Sequence, residues 1–233
     1  MSIFTTLLNC LFPFQCIFCT ELSSEFICNG CFSKWHFISS NYCLKCGSTY
    51  SCLSAAKICF NCLSCAPFFD IARSMAFYND LGVIILHKCK FYDQIYLIPY
   101  CAKMLAERGG DIFNDMDLIM PVPSRRSRII KRRCNQVSLL AKEVARRVSI
   151  PFDGLNMIRV KKTALQRGLS VNERLNNVRG AFTVRFPEKI SGKGILIIDD
   201  LMTTGATLNE CSKSLVKAGA KSVNCLTLFR TVY

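Results

Sequence analysis

Two stretches of this 233-residue sequence carry residue types at spacings that could do chemistry. The first is Cys16-x2-Cys19, Cys28-x2-Cys31, Cys43-x2-Cys46 and Cys59-x2-Cys62. A C-x-x-C pair puts two thiolates on one tight turn, spaced to take adjacent corners of a Zn²⁺ tetrahedron, and two such pairs close a structural site. Four pairs therefore support one or two zinc ions, most simply Cys16/Cys19/Cys28/Cys31 and Cys43/Cys46/Cys59/Cys62. Cys65 competes with Cys59 as a partner of Cys62, and Cys10 and Cys52 are left over. No spacing recruits His36 or His87. The segments between the pairs are too short to bury a core, so metal must supply folding energy.

The second stretch is Gly194-Ile-Leu-Ile-Ile-Asp199-Asp200-Leu-Met-Thr203-Thr204-Gly205-Ala206-Thr207. Two adjacent carboxylates leaving an apolar strand are costly unless cationic or hydroxyl-rich groups meet them. Thr203, Thr204, Gly205, Ala206 and Thr207 then offer hydroxyls and backbone N–H groups at a helix N-terminus, a cradle for a phosphate dianion.

The elements that must position these groups follow from periodicity. Ser74–Tyr78 is expected as a strand, 97–107 as a helix and 118–122 as a strand closed by Pro121-Val-Pro123. Val137, Leu140, Ala141, Val144 and Val148 give a helical stripe over 136–148. Ile195 to Ile198 is wholly apolar, as for a central parallel strand covered on both faces. Leu208, Cys211, Leu215 and Ala218 form a second stripe ending at Gly219, and 223–229 is the next strand. Strand, loop, helix, strand is the βαβ unit of an α/β doubly wound parallel sheet, which binds ligands at the carboxyl ends of its strands.

Composition bounds the partners. The net charge is +14, unevenly spread: residues 1–120 hold 8 Lys/Arg against 9 Asp/Glu, and residues 121–233 hold 22 against 7. A basic second half suggests a polyanionic ligand or nucleic acid. Eleven of the sixteen cysteines fall between Cys10 and Cys65, without a basic n-region to mark an export signal. Such thiol density fits metal ligands in a reducing compartment, and the expected location is cytoplasmic. No run approaches the ~18 apolar residues of a membrane span. The remaining cysteines, Cys89, Cys101, Cys134, Cys211 and Cys225, are expected to pack.

At the acid pair and Thr-Thr-Gly loop the chain resembles type I phosphoribosyltransferases, in which the acids hold ribose hydroxyls, directly or with Mg²⁺, and the loop binds the 5-phosphate of 5-phosphoribosyl-1-diphosphate (PRPP). Over nearly its whole length it resembles one branch, the ComF family. The likeness takes in the cysteine pairs, Pro67-Phe-Phe-Asp70, Pro121-Val-Pro123, Arg133-Cys-Asn-Gln136, Gln166-Arg-Gly-Leu-Ser170, Glu173-Arg174 and Asn177-Val-Arg-Gly-Ala-Phe182. It implies a zinc module over 1–66 and a PRPP-binding domain over 67–233. It also implies Mg²⁺, a role in natural transformation with single-stranded DNA, and partners in the competence machinery. Ser124 then falls in the pyrophosphate loop and Lys90 in the basic segment that approaches the ligand. Arg125, Arg126, Arg128, Lys131, Arg132 and Arg133 become a basic flap, and Phe182 and Phe186 candidates for stacking on bases. Two positions depart from the pattern: Arg133-Cys134 stands where the family has Gly-Phe, and Thr203 where purine transferases carry an acidic residue. A threonine is no general base at neutral pH. A housekeeping transferase on a base or amine, and a PRPP sensor without turnover, remain open beside the DNA-handling reading.

Overall fold

The computed structural model describes residues 14–38, 41–49, 57–91, 95–124, 135–161 and 171–231. At its centre is a four-stranded parallel sheet in the order β3–β8–β7–β4, built from β3 (Ile71–Phe77), β4 (Leu118–Pro121), β7 (Gly194–Met202) and β8 (Ser222–Arg230). The first five residues of β7 are all buried, as its apolar run requires of a strand covered on both faces.

Helices cover the two faces. On one, α3 (Asp80–Phe91), α4 (Ile98–Gly109) and α5 (Gln136–Val148) pack through Leu86, Leu105, Leu140 and Val144 onto Leu196, Ile198 and Leu226. On the other, α7 (Ala206–Lys217) packs Leu208, Cys211 and Leu215 onto Ile195, Ile197 and Cys225. Beside α7 lie α6 (Val171–Val178) and the antiparallel pair β5 (Met157–Arg159) and β6 (Phe182–Val184). Asn135 caps α5 by accepting from the Ser138 N–H at 3.3 Å.

The cysteine-rich segment is built from turns. The pair β1 (Phe14–Gln15) and β2 (Leu22–Ser23) and the short α1 (Asn29–Phe32) frame the first cysteine cluster, and α2 (Phe60–Ser64) follows Cys59 in the second. Between the clusters, residues 36–38 run along the outer edge of β3. Phe37 bridges Ala76 antiparallel, Ile38 N–H donates to the Met75 carbonyl, and Phe77 N–H donates to that of His36. An edge strand is thereby paired instead of exposed.

The first cluster reaches the α4/α5 face, where Cys16, Ile27, Cys31 and Trp35 join the core and the Trp35 ring lies 5.9 Å from that of Phe229. The second meets the α7 face, with Cys46 against its core. Gly47 touches β3 so closely that a Cβ would stand 2.7 Å from the Ala72 carbonyl, and its φ of +70° also favours glycine. The two cysteine clusters thus straddle one edge of the sheet.

Candidate functional site

The eight cysteines named from spacing form two four-sulfur clusters, Cys16/Cys19/Cys28/Cys31 and Cys43/Cys46/Cys59/Cys62, each with all Sγ atoms within 4.8 Å of one another. Four thiolates around zinc at the usual Zn–S length stand about 3.8 Å apart. Cys19 and Cys28 Sγ are 3.6 Å apart, and Cys46 and Cys59 Sγ are 3.7 Å apart. In each cluster a backbone N–H supports a sulfur: Cys28 donates to Cys16 Sγ at 3.4 Å and Cys59 to Cys43 Sγ at 3.3 Å. The donor set fits zinc twice over.

Within each cluster, neighbouring thiols are pushed in opposite directions. Burial pushes the Cys16 thiol up, but N–H groups of Cys19, Cys28 and Phe18 outweigh it and bring it down to about 6. Burial takes Cys31 up to about 12. A hydrogen bond with Cys62 holds Cys46 down to about 5, against burial and with help from Ser48 N–H and Arg230, while Cys62 is driven upward. Zinc, when bound, would be held by all four sulfurs of a cluster as thiolates, so its affinity would fall with falling pH. Cys65 is exposed, and neither His36 nor His87 belongs to a cluster. Cys10, Cys52 and Cys134 lie outside the described residues. Cys89, Cys101, Cys211 and Cys225 are buried, as packing residues should be.

The acids and the threonine loop stand at the carboxyl end of β7. The strand continues through both acids, Asp199 pairing with Thr227 and Leu201 with Phe229. Successive strand residues face opposite sides. Asp200 lines a pocket with Leu86, Cys89, Ile98, Cys101, Val137, Leu140 and Leu228. Asp199 acts electrostatically on Cys211 and Cys225, whose thiols burial already pushes up. At the turn, Gly205 holds φ at +78° and begins α7, and Thr204 Oγ1 accepts from the Ala206 N–H at 3.4 Å. A Cβ on Gly205 would stand 2.9 Å from the Met202 methyl group, which lies beneath the loop. Thr203, Thr204 and Thr207 are partly exposed, and Gly205 and Ala206 are buried.

Ser124 follows β4, and its hydroxyl donates to Asn135 Oδ1 at 3.0 Å. That bond ties together the two ends of the 125–134 segment. Arg125, Arg126, Arg128, Lys131, Arg132 and Arg133 lie outside the described residues, and of Lys90 only its place near the end of α3 is described. Phe182 is core, 5% exposed, with Arg159 over its ring, so it is no stacking surface. Phe186 is 41% exposed between Lys189 and Arg185, at 4.9 and 5.4 Å.

Sequence reasoning missed what connects the two regions. Arg230, only 5% exposed, donates to the Cys46 carbonyl at 2.8 Å, while the next residue, Thr231, donates to the Met202 carbonyl at 3.1 Å. Asn209, one turn into α7, accepts the Phe68 N–H at 2.7 Å. These are contacts across the fold and leave no local signature.

Sheet order, crossover and loop define a phosphoribosyltransferase-type domain carrying an N-terminal double zinc ribbon. Models of those two families match: the phosphoribosyl transferase domain over 137–231 and the double zinc ribbon domain over 7–63. The chain is 33% identical over 230 residues to competence protein F of Haemophilus influenzae, covering 94% of this chain and 98% of that one. The chain belongs to the ComF (competence protein F) family. It is 28% identical to competence protein ComFC of Bacillus subtilis (89% of this chain, 85% of that one) and 28% identical to DNA utilization protein YhgH of Escherichia coli K12 (88% and 91%). Among solved structures it is similar to the glutamine PRPP amidotransferase of B. subtilis, with a TM-score of 0.40 and 20% identity over 57% of this chain and 26% of that one. Among the described residues no helix is long and apolar enough to cross a membrane.

Proposed function

We propose that this protein binds Mg²⁺–PRPP at the β7–α7 turn and handles single-stranded DNA in the cytoplasm. The observation that carries the first half is Gly205, whose left-handed backbone turns the chain from the acid-bearing strand into the N-terminus of α7. A helix N-terminus presents unpaired N–H groups and positive dipole to a phosphate, and threonine hydroxyls add donors. The 5-phosphate sits on 203–207, and the carboxylates of Asp199 and Asp200 accept from ribose hydroxyls. Mg²⁺, when bound, neutralises diphosphate charge through oxygen ligands. Ser124, through its backbone N–H, and Lys90 with the 125–133 cations supply donors toward the diphosphate.

DNA handling is supported by the basic second half and by the competence and DNA-utilization relatives. Thr203, where a purine transferase has a carboxylate, favours PRPP as a sensed ligand over base transfer. The deciding experiment is an oligonucleotide titration with and without Mg²⁺–PRPP, alongside an assay for pyrophosphate release. A PRPP-dependent change in DNA affinity without turnover is expected. Turnover on a base or amine, with DNA affinity indifferent to PRPP, would replace this reading by the housekeeping transferase.

A further inference from the structure

The second zinc ribbon and the segment that follows it expose apolar side chains that the fold does not use. Phe60 is 76% exposed, Leu63 58%, Leu44 48% and Phe68 44%. Phe60 and Leu63 stand at i and i+3 on α2 and so share a face. Leu44 lies on the opposing knuckle, its N–H bonded to the Lys57 carbonyl at 2.9 Å. A ribbon held by metal has no need of surface phenylalanines, and exposed aromatic area is costly unless something covers it.

Charge indicates what covers it. Residues 41–69 contain Lys45 and Lys57 and neither Asp nor Glu. The flanking acids are engaged by backbone: Asp70 accepts from Val223 N–H and Glu210 from Gly180 N–H, both at 2.9 Å. Lys213 of α7 stands over the Phe68 ring at 5.2 Å. Phe68 is held beside α7 by Asn209, whose own N–H bonds the Gly205 carbonyl at 2.9 Å. The aromatic surface therefore begins about one helical turn, roughly 5–6 Å, from the phosphate loop.

We infer that Phe60 and Phe68, with Lys57 and Lys213, form a nucleobase-stacking platform running from the second zinc ribbon to α7, along which a single strand lies next to the phosphate-binding turn. Exposed aromatics interleaved with cations suit single-stranded nucleic acid, whose bases stack on rings while lysines follow its phosphates. Docked on β3 through Gly47 and on β8 through Arg230, the ribbon is a rigid base for such a platform. The platform rests on the DNA-handling reading and extends its surface beyond the basic 121–233 segment, from Lys213 to Phe68, Phe60 and Lys57.

The test is fluorescence anisotropy of the full, zinc-loaded chain with a labelled single-stranded oligonucleotide across a salt series. Phe60→Ala with Phe68→Ala should weaken binding roughly tenfold for each stack lost, with the salt slope unchanged. Tryptophan at both positions should restore affinity and leucine should not. Zinc content and far-UV circular dichroism equal to the parent's establish that each variant is folded, and for the alanine and leucine variants Trp35 emission adds a second check. Parental affinity in the double alanine variant overturns the platform while leaving DNA handling in place. Full recovery by leucine also overturns it, because an apolar surface for a protein partner would behave so. A parent that binds no oligonucleotide at low salt removes the DNA-handling reading itself, and the platform with it.

Discussion

Gly205 combines a φ of +78° with a Met202 methyl group where a Cβ would go. An L-residue in that conformation costs about 1–2 kcal/mol before the contact is counted. Gly205→Ala should therefore lower stability by about that amount in urea denaturation and weaken PRPP in calorimetry. Asp199→Ala with Asp200→Ala should abolish PRPP binding in a folded protein; affinity equal to the parent's would sink the assignment. Thr204→Val keeps the shape, removes a hydroxyl and should weaken PRPP only in part. Arg230 is a different kind of position. Arg230→Met strands the Cys46 carbonyl at a cost of about 1–3 kcal/mol, and should loosen ribbon and loop together. The acids, the threonine loop and the cysteine quartets were legible in the sequence because each is a run of neighbours with a local geometric requirement. Arg230, Asn209 and Met202 were not, since their partners lie far along the chain.

Among the elements, α5 spans the residues its apolar stripe predicts, 136–148, because a single face meets the core and the cap is local. The strand β7 runs beyond the expected 195–198 to Gly194–Met202, because β8 continues to pair with it past the acids. Expected at 74–78, β3 instead occupies Ile71–Phe77, pinned by β8 on one side and residues 36–38 on the other. The α3 helix went unread, since Val83-Ile-Ile-Leu86 reads as well as a strand as a helix. The ribbons give the sharpest prediction at this scale. Purified protein should carry close to two zinc ions, and one would mean the pairing is wrong. Cys16→Ser should red-shift the emission of Trp35, the chain's one tryptophan, which is buried beside that cluster. Cys43→Ser should instead disturb the Gly47–Ala72 contact and leave that emission closer to the parent's.

Across the whole molecule, charge and cohesion pull on different parts. The basic second half should bind a single strand with a salt slope of roughly −0.7 per phosphate neutralised. Replacing Arg125, Arg126 and Arg128 together by alanine should flatten that slope without touching zinc content. An unchanged slope would place the electrostatic contacts elsewhere. Cohesion runs through the ribbons, which share the sheet's cores on both faces. A chain begun at residue 67 would uncover the β3 edge and the apolar surface around Phe229 that Trp35 covers. It should aggregate in light-scattering measurements where the full chain stays monodisperse.

The pairing of β3 with β8 has a consequence in time. Ser74 and Thr227 meet hydroxyl to hydroxyl at 2.7 Å across 153 positions of sequence. During synthesis both ribbons and the strand they flank emerge long before the strand that will hold them. For that interval the ribbons lack the sheet they dock on, and zinc is what can supply their folding energy. Long-range parallel pairing is slow to form and leaves apolar surface waiting. Metal scarcity should therefore lower the yield of soluble protein by acting on the nascent chain, at zinc concentrations that leave the finished molecule intact.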